Sequence, residues 1–189
     1  MLSLLFGLVL FLGIHSVSII SPGFRDRVAA KNEMMWKGVY SFISFVGIYF
    51  IAVGYGAARM EPVLLYTTPY WLRHVTSLLM VFALILFVAP YFPGKIKQVT
   101  KHPQLVAVKL WAASHLLVNG MLADVVLFGA FLAWAVADRI SMKKRDQRAL
   151  PGMKPSGLND VLAVVIGIAL TFAFVKVLHG ALVGMPLIS

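Results

Sequence analysis

"MLSLLFGLVLFLGIHSVSII", residues 1–20, is the stretch that decides the fold class, because it can cross a lipid bilayer as one helix. A spanning helix needs about 20 mostly apolar residues, and the polar side chains of this run are three serines and His15. The run lacks the basic start and the small-residue cleavage site of a secretory signal peptide. We therefore predict that it is retained as a first transmembrane helix.

The composition of the whole chain agrees with this interpretation. Its 189 residues are 60% hydrophobic and have a mean hydropathy of +0.88, whereas soluble domains are about half apolar at most. The sequence predicts an all-α, polytopic membrane helical bundle, organised as a single integral membrane domain over residues 1–189. The chain has no cysteine, which excludes disulfides and thiolate ligands. The net charge of +10 lies in short connectors, so no nucleic-acid partner is expected.

Six apolar runs, separated by Pro-Gly and Asn-Gly turn signals, predict six transmembrane helices. An alternative of five spans, with a re-entrant fourth segment, stays open because the fourth and fifth runs are short. The connectors after the first, third and fifth runs hold thirteen Lys and Arg residues, against two on the opposite side. The positive-inside rule then places these connectors in the cytoplasm and both termini outside it. The predicted helices cover residues 2–20, 37–57, 71–90, 103–119, 121–138 and 159–182.

The second predicted helix carries a row of small residues at i+3 and i+4 spacing. Rows of this kind allow two membrane helices to approach closely. We predict that the row packs against another helix of the bundle. Its members are Tyr40, Ser44, Gly47, Ile51, Gly54 and Ala58.

All five histidines lie in or beside predicted spans, and no Glu or Asp lies deep in any of them. A single membrane histidine usually links two helices by a hydrogen bond, but several together favour a metal centre. Haem iron with two imidazole ligands suits such an interior better than a proton relay, which usually includes Asp or Glu. The helix rise places His15 and His115 about 8 Å apart in depth, and His74 and His115 about 6 Å, so both pairs stay open. The five are His15, His74, His102, His115 and His179.

One face of the fourth predicted helix gathers several polar and aromatic residues. Trp111, four residues before His115, could form one wall of a site for a flat ring, or it could simply be a large packing residue. Lys109 lies on another face and is predicted to extend towards the membrane surface. Asp138 and Arg139, at the end of the fifth helix, are predicted to face the cytoplasmic surface. The face itself consists of Gln104, Val108, Trp111, His115 and Asn119.

Four segments resemble the NnrU family of bacterial membrane proteins, named for the regulation of nitrite and nitric oxide reduction. A more remote similarity joins the chain to 15-cis-zeta-carotene isomerase, a membrane haem b protein. The resemblance covers residues 1–140 and implies a bacterial inner (cytoplasmic) membrane location. The segments are "GIHSV" (13–17), "WKGVYSFISFVGI" (36–48), "KHPQLVAVKLWAASHLLVNG" (101–120) and "FGAFLAWAVADRISMKKR" (128–145).

The resemblance implies roles for particular residues. His15, in its His-Ser context, and His115, in its Trp-x-x-x-His context, match the two haem ligands of the isomerase. His74 and His102 match further histidines of that enzyme, and Trp111 and Asn119 fall within the best-matching stretch. A cysteine follows the tryptophan in the isomerase, but Ala112 occupies that position here. A redox-triggered change to a thiolate ligand is therefore excluded, which weakens the case for isomerase chemistry more than the case for haem.

Several functions follow as hypotheses. The first is a haem b protein that serves nitrite and nitric oxide respiration (denitrification) through redox chemistry, haem handling or sensing of nitric oxide. The second is a haem-dependent cis-trans isomerase of an apolar carotenoid or other polyene. The third is a non-catalytic assembly partner of respiratory or denitrification proteins. A membrane methyltransferase is a fainter alternative, because Leu105 and Ala107 replace the Tyr and Gly of its "RHPxYxG" box.

Overall fold

The computed structural model describes residues 1–145 and 152–184, and these residues are helical apart from short connections. The prediction of an all-α protein is confirmed: within these ranges the extended structure is limited to a lone bridge between Leu64 and Met121. The α-helices of these ranges are α1 (Leu2–Ile20), α2 (Pro22–Lys31), α3 (Glu33–Met60), α4 (Leu72–Val88), α5 (Lys95–Thr100), α6 (Pro103–Leu116), α7 (Leu122–Ser141), α8 (Asn159–Ala173) and α9 (His179–Val183).

The helix boundaries follow ordinary local chemistry. Pro22 and Pro103 lie in the first turns of α2 and α6, where the missing N–H of proline costs no helical hydrogen bond. The side chain of Asn32 caps α3 by accepting a hydrogen bond from the backbone N–H of Met35 at 2.9 Å. A 3-10 turn, Ala89–Tyr91, extends α4, and a π-helical turn, Phe174–Leu178, joins α8 to α9.

The chain divides into two compact units. Unit 1 consists of Met1–Leu65 with Met121–Asp146, and unit 2 consists of Tyr66–Gly120 with Gln147–Ser189. Helices α1, α2, α3 and α7 therefore belong to unit 1, and α4, α5, α6, α8 and α9 belong to unit 2.

The core of unit 1 is a close contact between α1 and α3, made by glycines of both helices. A Cβ atom added to Gly7 would lie 2.5 Å from the backbone nitrogen of Ile51, and one added to Gly47 would lie 2.8 Å from that of Phe11. A Cβ on Gly54 would collide with the backbone of Leu4. The prediction that the small-residue row of the second helix packs against another helix is confirmed at Gly47 and Gly54.

In unit 2, α4 lies between α6 and α8. The Thr76 hydroxyl of α4 donates a hydrogen bond to the Ser114 carbonyl of α6 at 2.9 Å. The fully buried Ser114 hydroxyl is 3.3 Å from the sulfur of Met80. On the other side of α4, Gly167 of α8 lies so close to Ile85 that an added Cβ would be 2.6 Å from its Cα. Small and polar side chains thus make the close helix contacts, as is usual inside membranes.

The start of α8 binds the first turn of α5 and two connecting segments. The Asp160 carboxylate accepts hydrogen bonds from the backbone N–H groups of Lys95 and Ile96, at 2.8 and 3.0 Å. The buried Asn159 amide donates to the carbonyls of Pro93 and Lys154, at 3.0 and 2.9 Å. The two bonds from α5 satisfy N–H groups that the helix start would otherwise leave unpaired, and the two bonds from Asn159 pair carbonyls of the connecting segments.

Four helical segments of the described residues are long and apolar enough to cross a membrane. They also expose large apolar side chains, such as Phe45 and Val9, at 73% and 70%. Lipid solvates such surfaces and water does not, so the chain is a membrane protein. The four segments are Leu2–Ile20, Glu33–Met60, Leu72–Tyr91 and Asn159–Ala181.

The other two predicted spans correspond to α6 and α7, which are not among these four segments because α6 is short and α7 carries charged residues. With 14 residues, α6 is about 21 Å long, which is less than the roughly 30 Å of the hydrocarbon core. The 20 residues of α7 are long enough, but this helix carries Asp124, Asp138 and Arg139.

Candidate functional site

The imidazole of His15 is oriented by its own helix. Its Nδ1 atom lies 2.6 Å from the carbonyl oxygen of Phe11, one turn earlier in α1. A carbonyl oxygen can only accept, so Nδ1 carries the proton, and the lone pair of the neutral ring is on Nε2. The ring also stacks on the side chain of Phe11, with 4.1 Å between centroids and 29° between planes.

Aromatic side chains from two other helices of unit 1 surround this imidazole. Tyr40 of α3 is 4.9 Å away between ring centroids, and Trp134 of α7 is 5.9 Å away and edge-on, at 87°. Phe131, one turn before Trp134, contacts Phe11 at 5.6 Å. These side chains, Phe11, His15, Tyr40, Phe131 and Trp134, are called the His15 cluster below.

The His15 cluster contains one unusual polar atom. The indole Nε1–H of Trp134 is buried and has no hydrogen-bond partner among the described residues. A buried N–H without an acceptor costs about 1–3 kcal/mol, so it requires an explanation. Nothing in the sequence alone places Trp134 beside His15, so only the structure identifies this residue.

Asp138 lies one turn after Trp134 in α7, and the structure corrects its predicted position. The prediction placed Asp138 with Arg139 at the surface, but Asp138 is only 6% exposed, and its carboxylate accepts a hydrogen bond from Arg145 at 2.7 Å. It is also close enough to act electrostatically on His15 and Tyr40. A buried carboxylate requires such a partner, and Arg145 lies seven positions, about two turns, further along the chain.

A second carboxylate is buried at the other end of α7. Asp124 is 4% exposed; it accepts a hydrogen bond from the Tyr55 hydroxyl at 2.6 Å and one from the Met121 backbone N–H at 3.0 Å. Asp124 and Asp138 both lie near the ends of α7, so the protein buries two carboxylates at the ends of this helix and none in its middle.

In unit 2, the imidazole of His115 repeats the local arrangement of His15. Its Nδ1 atom lies 2.8 Å from the carbonyl oxygen of Trp111, one turn earlier in α6, and again must donate. The two rings are tilted at 53°, with 5.5 Å between centroids. Both histidines thus follow an aromatic residue by four positions and donate Nδ1–H to its carbonyl. The sequence shows this spacing at both places, although only the Trp111 pair was singled out.

The backbone of Asn119 makes hydrogen bonds in the turn that follows α6. Its N–H donates to the His115 carbonyl at 2.9 Å, and its own carbonyl accepts a hydrogen bond from the Tyr66 hydroxyl at 2.9 Å. The Tyr66 hydroxyl also donates to the Leu116 carbonyl. Tyr66 therefore satisfies free carbonyls at the end of α6, and it is a further residue that sequence analysis missed.

The remaining predicted site residues are at helix ends. His74, in the first turn of α4, is exposed, and its ring contacts Tyr70 edge-on at 5.9 Å. His102 is half-buried and precedes α6; its carbonyl accepts hydrogen bonds from the N–H groups of Leu105 and Val106. Within residues 1–145 and 152–184, no three His, Cys, Asp or Glu side chains are grouped in a way that could hold a metal ion.

The comparisons with known proteins are consistent with the family resemblance. The family model described as NnrU protein matches residues 3–187. Neither the curated proteins nor the solved structures gave a match. With nearly its whole length covered by the family model, the chain belongs to the NnrU family.

Proposed function

We propose that this chain is a haem b-binding membrane protein and that His15 and His115 are the residues that would hold the iron. The observation that carries the proposal is the shared geometry of the two imidazoles. In each, Nδ1–H donates to a backbone carbonyl, at 2.6 and 2.8 Å, which leaves Nε2 as the basic nitrogen. Metal-ligating histidines in proteins almost always donate their other ring N–H in this way, which fixes the tautomer and the ring orientation.

The donor set also fits haem better than a bare metal ion. Haem iron needs only two protein ligands, and two imidazoles suit it, whereas a structural zinc site usually needs four. When bound, haem b would supply a one-electron redox centre, and its iron could bind nitric oxide in place of one of the two imidazoles. The protein residues would hold the imidazoles in orientation, exclude water and bury the macrocycle. Phe11 and Trp111, whose rings contact the two histidines, provide apolar surface for this.

Purified full-length protein in lipid nanodiscs tests this proposal directly. After haem supplementation we expect a Soret band, low-spin α and β bands on reduction, and about one haem per chain in a pyridine haemochrome assay. Protein that stays colourless with excess haem would refute the proposal. A carotenoid isomerase function stays a sequence prediction, because no contact in the described residues favours it.

The physiological role we propose is in nitrite and nitric oxide respiration, and membership of the NnrU family supports it. Deletion of the gene in a denitrifying host should lower the rate of nitrite or nitric oxide consumption. His15→Ala on a plasmid should fail to restore the rate, whereas His74→Ala should restore it. Unchanged rates in the deletion strain would exclude this role and that of an assembly partner for these enzymes.

We also propose a topology of six spans in the bacterial inner membrane, with both termini outside the cytoplasm. The thirteen Lys and Arg residues of the first, third and fifth connectors support it, against Arg59 and Arg73 on the other side. In this topology α6 and α7 each cross the membrane, and the turns at the ends of α6 would cover the thickness that its 14 helical residues do not.

Cysteine labelling tests the topology without background, because the natural chain has no cysteine. Thr67→Cys, at an exposed position before α4, should react with a membrane-impermeant maleimide in intact spheroplasts. Lys31→Cys and Met153→Cys, also exposed, should react only after permeabilisation. The reverse pattern would invert the topology, and labelling of all three in intact spheroplasts would contradict it.

A further inference from the structure

The buried indole N–H of Trp134, in unit 1, has no role in the function proposed above. Helix α7 brings the indole edge-on to His15, with 5.9 Å between ring centroids, and its Nε1 has no acceptor within the described residues. Buried donors in native proteins are nearly always paired, so one that lacks an acceptor usually marks a site where a ligand or water supplies it.

The polar groups nearest along α7 do not supply the acceptor. Asp138, one turn beyond Trp134, directs its carboxylate to Arg145 at 2.7 Å. The other ring neighbours of His15 are Phe11, which has no acceptor atom in its side chain, and Tyr40, whose hydroxyl is not a hydrogen-bond partner of the indole. A molecule bound beside His15 would supply the missing acceptor.

The chemical groups of haem b indicate which of its atoms could accept this hydrogen bond. Its macrocycle nitrogens are bound to iron and its vinyl and methyl groups are apolar, so its hydrogen-bond acceptors are the two propionate carboxylates. Trp134 lies beside the His15 imidazole, so its indole N–H would be available to a haem propionate at this site.

We propose that the Trp134 indole donates a hydrogen bond to a haem propionate and so positions the macrocycle at His15. This inference rests on the proposed haem binding and adds a residue to it. Charge-assisted hydrogen bonds are about twice as strong as neutral ones. Loss of this bond should weaken haem binding about tenfold or more, because a hydrogen bond to a charged group is involved.

Trp134→Phe in full-length protein tests the proposal, with Trp36→Phe as the matched control. Trp36 packs against Tyr40 at 6.2 Å, in the same region of unit 1. We expect Trp134→Phe to bind haem about tenfold more weakly in a Soret titration, and Trp36→Phe to bind it as wild type does. The apoprotein should keep its thermal stability, since the substitution removes a donor that has no acceptor there.

A second titration, with iron protoporphyrin dimethyl ester, identifies the atom that accepts. Esterification removes the carboxylate charge, so wild type should bind the ester about as weakly as Trp134→Phe binds haem. Trp134→Phe should then lose little further affinity on going from haem to the ester. A difference between wild type and variant that persists with the ester would overturn the propionate assignment.

The outcomes separate this inference from the proposed function. If wild type fails to bind haem, the proposed function is wrong and this inference falls with it. If wild type and Trp134→Phe bind haem equally, only the role of the indole is wrong. If Trp134→Phe destabilises the apoprotein more than Trp36→Phe does, and the two variants bind haem equally well, the indole acts within the fold and the ligand role is refuted.

Discussion

Alanine at His15 or at His115 is expected to abolish the low-spin haem spectrum, whereas alanine at His74 is expected to leave it intact. Both imidazoles direct Nδ1–H to a carbonyl of their own helix and so keep Nε2 as the basic nitrogen. Removing only the group that hydrogen-bonds to a metal ligand lowers the affinity for the metal roughly 10–100-fold. Loss of the ligand itself should cost more than that.

The measurement is the optical and electron paramagnetic resonance spectrum of each reconstituted variant. With one imidazole missing, the iron becomes five-coordinate and high-spin, so the Soret band shifts and the low-spin signals disappear. His74 is the matched control because it is an exposed histidine in the first turn of α4. If the low-spin spectrum survives His15→Ala but disappears in His74→Ala, the second ligand beside His115 is His74 and not His15.

His15 is also a packing residue, so His15→Ala needs a control for folding. The side chain contacts Phe11, Tyr40 and Trp134, and its removal leaves a cavity. Added imidazole should occupy this cavity and restore the low-spin spectrum if the ring acts as a ligand. Restoration of thermal stability without the low-spin spectrum would assign His15 a purely structural role.

Gly54→Ala is expected to destabilise the protein more than any other conservative substitution in α3. The added methyl group would collide with the backbone of Leu4 in α1, which cannot rotate away as a side chain would. Overpacking typically costs about 1–3 kcal/mol and occasionally more. Here the expected cost is at the upper end, because α1 and α3 would have to separate along their length.

Gly56→Ala is the matched control, since it makes the same change two residues away in the same helix. A Cβ at Gly56 would meet nothing within 4 Å, and alanine favours a helix over glycine by up to about 1 kcal/mol. Thermal unfolding in detergent, followed by circular dichroism, should give a lower Tm for Gly54→Ala and an unchanged or higher Tm for Gly56→Ala. Equal Tm values would mean that α1 and α3 do not approach as closely as described.

The two buried aspartates of α7 each accept a hydrogen bond from another side chain of unit 1. Asp124 is paired with Tyr55, and Asp138 with Arg145. Asp138 also acts electrostatically on His15 and Tyr40, so an acidic side chain accompanies the candidate ligand in the same unit. The hydrogen bond from Arg145 gives this buried carboxylate a partner within the fold.

The sequence by itself determined the helices and the local state of the two histidines. Apolar runs of about 20 residues must be helical in lipid, because every backbone group has to be paired within its own segment. The carbonyls that accept from His15 and His115 also belong to residues four positions earlier in the same helix, since i and i−4 lie on one helix face. For the same reason, the spacing of Gly47 and Gly54 predicted a contact face on α3.

Only the tertiary structure decided which side chains surround His15. Tyr40 and Trp134 come from α3 and α7, and the periodicity of one helix carries no information about the rotation of another. The same holds for Asp138, which the sequence placed at the surface and packing buries beside Arg145. It also holds for the bond between Asp124 and Tyr55. Contacts within one helix follow from its geometry, whereas contacts between helices depend on how the chain packs as a whole.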